Sequence, residues 1–135
     1  YALSSWPSGS FSDRYGRRAL FVVGVLVLVL ADGVLALATG PVGVFAGAAL
    51  WGLHLGMTQG VLSAMIVDAS GAQRRGTAFG VYGLASGVGL LVASVVAGAV
   101  WDGWGGQSTF ALGGVLAVLT LAAAMLWMPR DRDMP

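Results

Sequence analysis

The chain has no cysteine, no lysine and no glutamate, and His54 is its single histidine. Without cysteine there is no disulfide, no thiol nucleophile and no thiolate metal site. One histidine cannot assemble a zinc site alone. Charged residues make up only 10% of 135 residues against 57% hydrophobic, and the mean hydropathy is +0.83. That balance excludes an ordinary soluble domain. A formal net charge of +1, carried by dispersed arginines, gives no footprint for nucleic acid. No glycine-rich phosphate loop of the Walker type is present, so the chain shows no ATP-driven machinery. Ser63 and His54 share a helical segment but are too far apart along it to form a catalytic dyad. Neither an enzyme nor a bound cofactor or metal is expected.

What is abundant is apolar sequence. A bilayer-crossing helix needs about 20 mostly apolar residues. Four stretches meet this: Ala19–Thr39, Val42–Asp68, Thr77–Trp101 and Gln107–Met128. Their length, and the absence of alternation, predict helices rather than barrel strands. The expected fold is an all-α integral membrane protein with four full transmembrane helices. Arg17-Arg18 before an apolar run also fits a twin-arginine signal, with Ala36-Leu37-Ala38 as the cleavage site. The run exceeds the roughly 7–15 residues of a signal core, and three more spans follow.

The seven arginines fall in three places: Arg14, Arg17 and Arg18; Arg74 and Arg75; Arg130 and Arg132. The other connections, Thr39-Gly40-Pro41 and Trp101 to Gln107, carry none. Alternation of basic and non-basic loops is the positive-inside pattern of a multi-pass protein. It places loops 8–18 and 69–75 and the tail 129–135 in the cytoplasm, and the protein in the plasma (inner) membrane. Trp101, Trp104 and Trp127 sit where aromatic belts are expected. Tyr1 to Trp6 reads as the end of a truncated helix, closed by Pro7 and Gly9.

Glycines recur at four-residue spacing: Gly43/Gly47, Gly52/Gly56/Gly60, Gly76/Gly80 and Gly83/Gly87. Small residues four apart let helix backbones approach in lipid. Gly52, Gly56, Gly60, Gly80, Gly83 and Gly87 are therefore candidate packing positions, and such smooth faces also permit sliding or rocking.

The run Gly9-Ser10-Phe11-Ser12-Asp13-Arg14-Tyr15-Gly16-Arg17-Arg18-Ala19-Leu20 resembles the signature loop of the major facilitator superfamily (MFS), G-x-L-A/S-D-R/K-x-G-R/K-R/K-x-L/I/V. Phe11 replaces the usual leucine, and the other specified positions match. Leu50-Trp51-Gly52-Leu53-His54-Leu55-Gly56 looks like the glycine-rich start of helix 10 in that family. Arg75-Gly76-Thr77-Ala78-Phe79-Gly80 is similar to the start of helix 11, and Ala97-Gly98-Ala99-Val100-Trp101-Asp102 to its end. The resemblance implies that residues 1–135 are a partial C-terminal domain: the end of helix 8 plus helices 9 to 12 of a twelve-helix secondary transporter. It further implies a missing N-terminal half, a small-molecule substrate and the lipid bilayer as partners.

The motif has a physical logic of its own. A guanidinium presents a planar fork of donors that can bridge two carboxylates. Arg17 between Asp13 and Asp68 would tie the loop to the base of the second span. In the resembled family such a relay latches one conformation, with Gly9, Asp13, Arg14, Gly16, Arg17, Arg18 and Asp68 as its motif residues here. The bland alternative is an orientation signal with a loose surface ion pair worth about 0–1 kcal/mol.

Ionisable residues inside a membrane are costly and so are functional candidates. His54 is near the middle of the second span, and at 100° per residue Trp51, His54 and Thr58 share a face. That face is expected to line a cavity, with His54 binding substrate or carrying a proton. The alternative is a neutral histidine bonded to a neighbouring helix. Gln59 lies off the face. Asp32, roughly 10 Å from the far end of the first span, reads as a carboxylate near the interface. Tyr82 and Ser86, one turn apart, are candidates for the pathway or for interhelical bonds. The expected function is alternating-access transport of a small solute, as proton-coupled efflux if His54 titrates. The competing reading is a stand-alone four-helix membrane protein, a structural partner or a small dimeric exporter.

Overall fold

The computed structural model describes residues 16–127, so Gly9, Asp13, Arg14 and the 129–135 tail lie outside the described residues. Four long helices follow one another: α1 (Arg17–Leu37), α2 (Pro41–Ala69), α3 (Arg75–Trp104) and α4 (Gly106–Trp127). At 1.5 Å per residue they are about 31–45 Å long, enough for a hydrocarbon core of about 30 Å. All four are apolar enough to cross a membrane, and the fold among the described residues is all-α. Mean hydropathy is highest in α1, at 2.8, and lowest in α2, at 1.3, where His54, Thr58, Gln59 and Ser63 interrupt the apolar run.

The helix ends have local causes. α1 opens with Arg17 and Arg18 in its first turn, where long side chains can reach out of lipid. It therefore starts two residues before the purely apolar run. Pro41 occupies the first turn of α2, where its missing N–H is no loss. α2 closes at Ser70, whose N–H bonds to the Ile66 carbonyl at 3.0 Å, and a single 3-10 turn, Ala72–Arg74, leads into α3. α3 continues past Trp101 to Trp104 and stops at Gly105, whose φ of +85° suits glycine. Trp101 then folds over Gly106 and meets Phe110 edge-on, with ring centroids 6.4 Å apart.

α1 is the hub. It packs most extensively against α2 and next against α4, while α3 touches α4 and α2 only sparingly. The small core follows from this: Leu20, Val25, Ala31 and Leu35 of α1, Val61 of α2, and Ala117 and Ala124 of α4. No residue of α3 is buried. Hydroxyls along the spans bond back to carbonyls one turn earlier, as Thr58 does to His54, Ser63 to Gln59 and Thr120 to Leu116. This satisfies them within a medium that offers no water.

At the end of the bundle opposite the arginines, Gln107 Nε2 donates to the Ala38 carbonyl at 3.1 Å and ties the start of α4 to the end of α1. The contact is exposed, so Gln107→Ala should cost only about 0.5–1 kcal/mol in a denaturant titration.

Candidate functional site

Two groups of residues carry chemistry. The first gathers at the arginine end. Gly16 precedes α1 with φ +84°, and Arg17 and Arg18, consecutive in the helix, leave it about 100° apart. Arg17 forms an ion pair with Asp68 and also donates from Nη1 to the Ala64 carbonyl at 3.2 Å. One guanidinium thus holds both a side chain and a backbone carbonyl of α2, one helical turn apart. Arg18 reaches the other way and donates from Nη2 to the Met125 carbonyl, in the last turn of α4, at 2.8 Å. A cation there also complements the negative end of the α4 dipole. Consecutive arginines therefore fasten the base of α1 to two different helices. The Arg17–Asp68 half of the expected relay is formed; its Asp13 half lies outside the described residues.

The second group is midway along α1 and α2. His54 Nδ1 sits 2.8 Å from the Gly24 carbonyl of α1. A carbonyl can only accept, so Nδ1 carries a proton in this geometry, and in the neutral ring Nε2 is the acceptor. Thr58 is buried beside it and donates from Oγ1 to the His54 carbonyl at 2.9 Å. A Cβ on Gly24 would lie 2.6 Å from Thr58 Cγ2 and 3.4 Å from Met57 Cβ, so the helices touch nearly backbone to side chain.

The sequence places Trp51, His54 and Thr58 on one face, expected to be open. In the structure that stripe is where α2 meets α1: His54 and Thr58 pack on α1, and Gly47 and Val61 of the same stripe are buried. The reason is that glycine at position 24 makes α1 accept bulky neighbours there. Trp51 stays 45% exposed. Tyr82 is half-buried and Ser86 exposed on α3. Of the expected packing glycines, Gly56 is buried and Gly52 half-buried. A Cβ at Gly60, Gly80, Gly83 or Gly87 would meet nothing within 4 Å among the described residues. Close approaches between helices occur at Gly47, which the four-residue spacing had picked out and whose Cβ would run into the Leu35 side chain of α1, and at Gly24 and Gly113, which it had not. Gly24 carried a signal in the sequence, a lone glycine inside an otherwise bulky apolar run. The Gly113-Gly114 pair carried a similar one.

Among the described residues no cluster of His, Asp or Glu could hold a metal ion.

The profile of the family described as Major Facilitator Superfamily matches residues 1–135. The chain is 30% identical, over 89% of its length, to an uncharacterized MFS-type transporter of Methanocaldococcus jannaschii, of which it covers 30%. It is 29% identical over 93% of its length to the class B tetracycline resistance protein of Escherichia coli, covering 31% of that protein. It is 27% identical over 87% of its length to a proton myo-inositol cotransporter of Caenorhabditis elegans, covering 20%. The chain thus spans a third or less of each of these relatives. No solved structure matches.

Proposed function

The chain belongs to the Major Facilitator Superfamily, and from that premise we propose that it supplies helices 9 to 12 of a secondary transporter that moves a small solute by alternating access. α1 to α4 correspond to those four helices, the arginine end faces the cytoplasm, and the remaining helices belong to the rest of the C-terminal domain and to an N-terminal half. The observation that carries this reading is the Arg17 bridge to Asp68 and Ala64. It fastens two helices at the point where the signature loop enters the membrane. A partly exposed ion pair can form and break at modest cost, which suits a latch released once per cycle. Two relatives named for a proton cotransporter and a resistance protein support solute movement as the class of function.

His54 is the proposed proton carrier. Its Nδ1–H is fixed by Gly24, which leaves Nε2 as the ring nitrogen that takes up and releases a proton. The test uses the full reading frame in membrane vesicles under an imposed pH gradient, with tetracycline and myo-inositol among the solutes offered. His54→Ala should abolish gradient-driven movement of whichever solute the parent carries, with membrane insertion intact. Equal transport by the variant would remove His54 from the mechanism.

A further inference from the structure

Asp32 lies in the upper part of α1, about 22 Å from Arg17 at 1.5 Å per residue, and only 5% of its surface is accessible. Its carboxylate rests on the glycine pair of α4: a Cβ on Gly113 would come within 3.0 Å of Oδ2, and one on Gly114 within 3.5 Å of the Asp32 Cβ. Any larger residue at 113 would push the carboxylate away, so the two glycines make the seat in which it lies.

This seat opens onto a groove of about 390 Å³ between α1 and α4, lined by Val29, Ala36, Phe110, Val115 and Leu119 besides Asp32. The volume falls within the range of small-molecule sites. No hydrogen bond or ion pair joins the carboxylate to another described residue, and its oxygens are not sealed off from the groove. His54 is close enough to act on it electrostatically, but its Nδ1 is engaged by Gly24, two turns of α1 away. A carboxylate with no donor among the described residues, walled by hydrocarbon, is completed by a proton or by a cation that tolerates an apolar surround. Phe110 adds an aromatic ring to the same lining, and aromatic rings attract organic cations.

We infer that the α1–α4 groove is a binding site for a lipophilic organic monocation, whose charge pairs with Asp32 and whose hydrocarbon fills the apolar walls. A hydrophilic cation would have nothing to replace its water on Val29, Val115 and Leu119, and a neutral molecule would bring no charge to pair with Asp32. The site is separate from the Arg17 latch, and it does not depend on which solute is transported.

The test measures binding of tritiated tetraphenylphosphonium to the purified product of the full reading frame in detergent micelles by scintillation proximity. Neutral triphenylphosphine oxide serves as the competitor of similar shape. Saturable binding is expected, weakened about tenfold or more by Asp32→Asn, the worth of one charge-assisted contact. The phosphine oxide should displace little of it. Val115→Trp, at a position 57% exposed on the groove wall, should block binding with the carboxylate still in place. Circular dichroism distinguishes these effects from loss of the fold, and Val115→Trp carries the test if Asp32→Asn does not fold. No saturable binding, equal affinity in both variants, or displacement by the neutral competitor as effective as by the cation would overturn the inference.

Discussion

Gly24→Val should weaken the folded chain by about 1–3 kcal/mol, the usual range for forcing extra bulk into a packed contact. The first atom added, a Cβ, would already lie 2.6 Å from Thr58 Cγ2. That is about an ångström inside the separation at which carbon atoms attract. Thr58 cannot simply swing away, because its hydroxyl is bonded to the His54 carbonyl and the residue is buried. The helices must part instead, which also lengthens the 2.8 Å contact between His54 and the Gly24 carbonyl. Loss of that bond adds about 0.5–1.5 kcal/mol. Gly33→Ala, in the same helix, is the matched control. A Cβ there meets nothing within 4 Å, and alanine favours a helix over glycine by about 1 kcal/mol. Denaturant titration of the two variants in micelles should move in opposite directions. A loss of equal size in both would show that Gly24 matters for the helix and not for the α1–α2 contact.

Arg17→Ala should shift the balance between inward- and outward-facing forms of the assembled transporter by about five- to tenfold. The guanidinium makes an ion pair and a bond to a carbonyl, gross values of about 1.5–3 kcal/mol for charged hydrogen bonds. Its side chain is 33% exposed and that of Asp68 52%, so screening by water reduces the net to about 1 kcal/mol. A two-state equilibrium moves by that factor when one state alone holds the bridge. Distances between spin labels on the arginine-bearing end of this chain and on the other half measure the shift. Arg17→Lys should keep part of the effect, because both contacts are made from the single nitrogen Nη1 and an ammonium also carries several donors on one nitrogen. Unchanged distance distributions in Arg17→Ala would make the contact an ordinary surface pair.

The sequence discloses the helices far better than their neighbours. Length, hydropathy and turn residues locate all four, with ends that shift by no more than three residues. The arginines enter the first turn of α1, and Gly105 lets α3 run three residues beyond Trp101. The Arg17–Asp68 contact was also legible, because the motif brings a fork of donors to the end of α2 where a carboxylate waits. Partner faces were not. In a soluble helix the polar side points to water and so reveals the buried side. Here lipid is as apolar as the core, and periodicity loses that information. Trp51, His54 and Thr58 share a face as the 100° step requires, yet nothing in their spacing says that Gly24 lies opposite. Asp32 suffers the same ambiguity. Its depth in α1 is readable, while its seat on Gly113 depends on how α4 returns across the bundle.

The account rests on this chain being the last helices of a larger transporter, and the most direct measurement is the sequence of the reading frame upstream of Tyr1. The account predicts about seven further apolar spans and an earlier copy of the G-x-x-x-D-R-x-G loop, completing two six-helix halves. A start codon immediately before Tyr1 would contradict it, leaving four helices with no second half against which to rock.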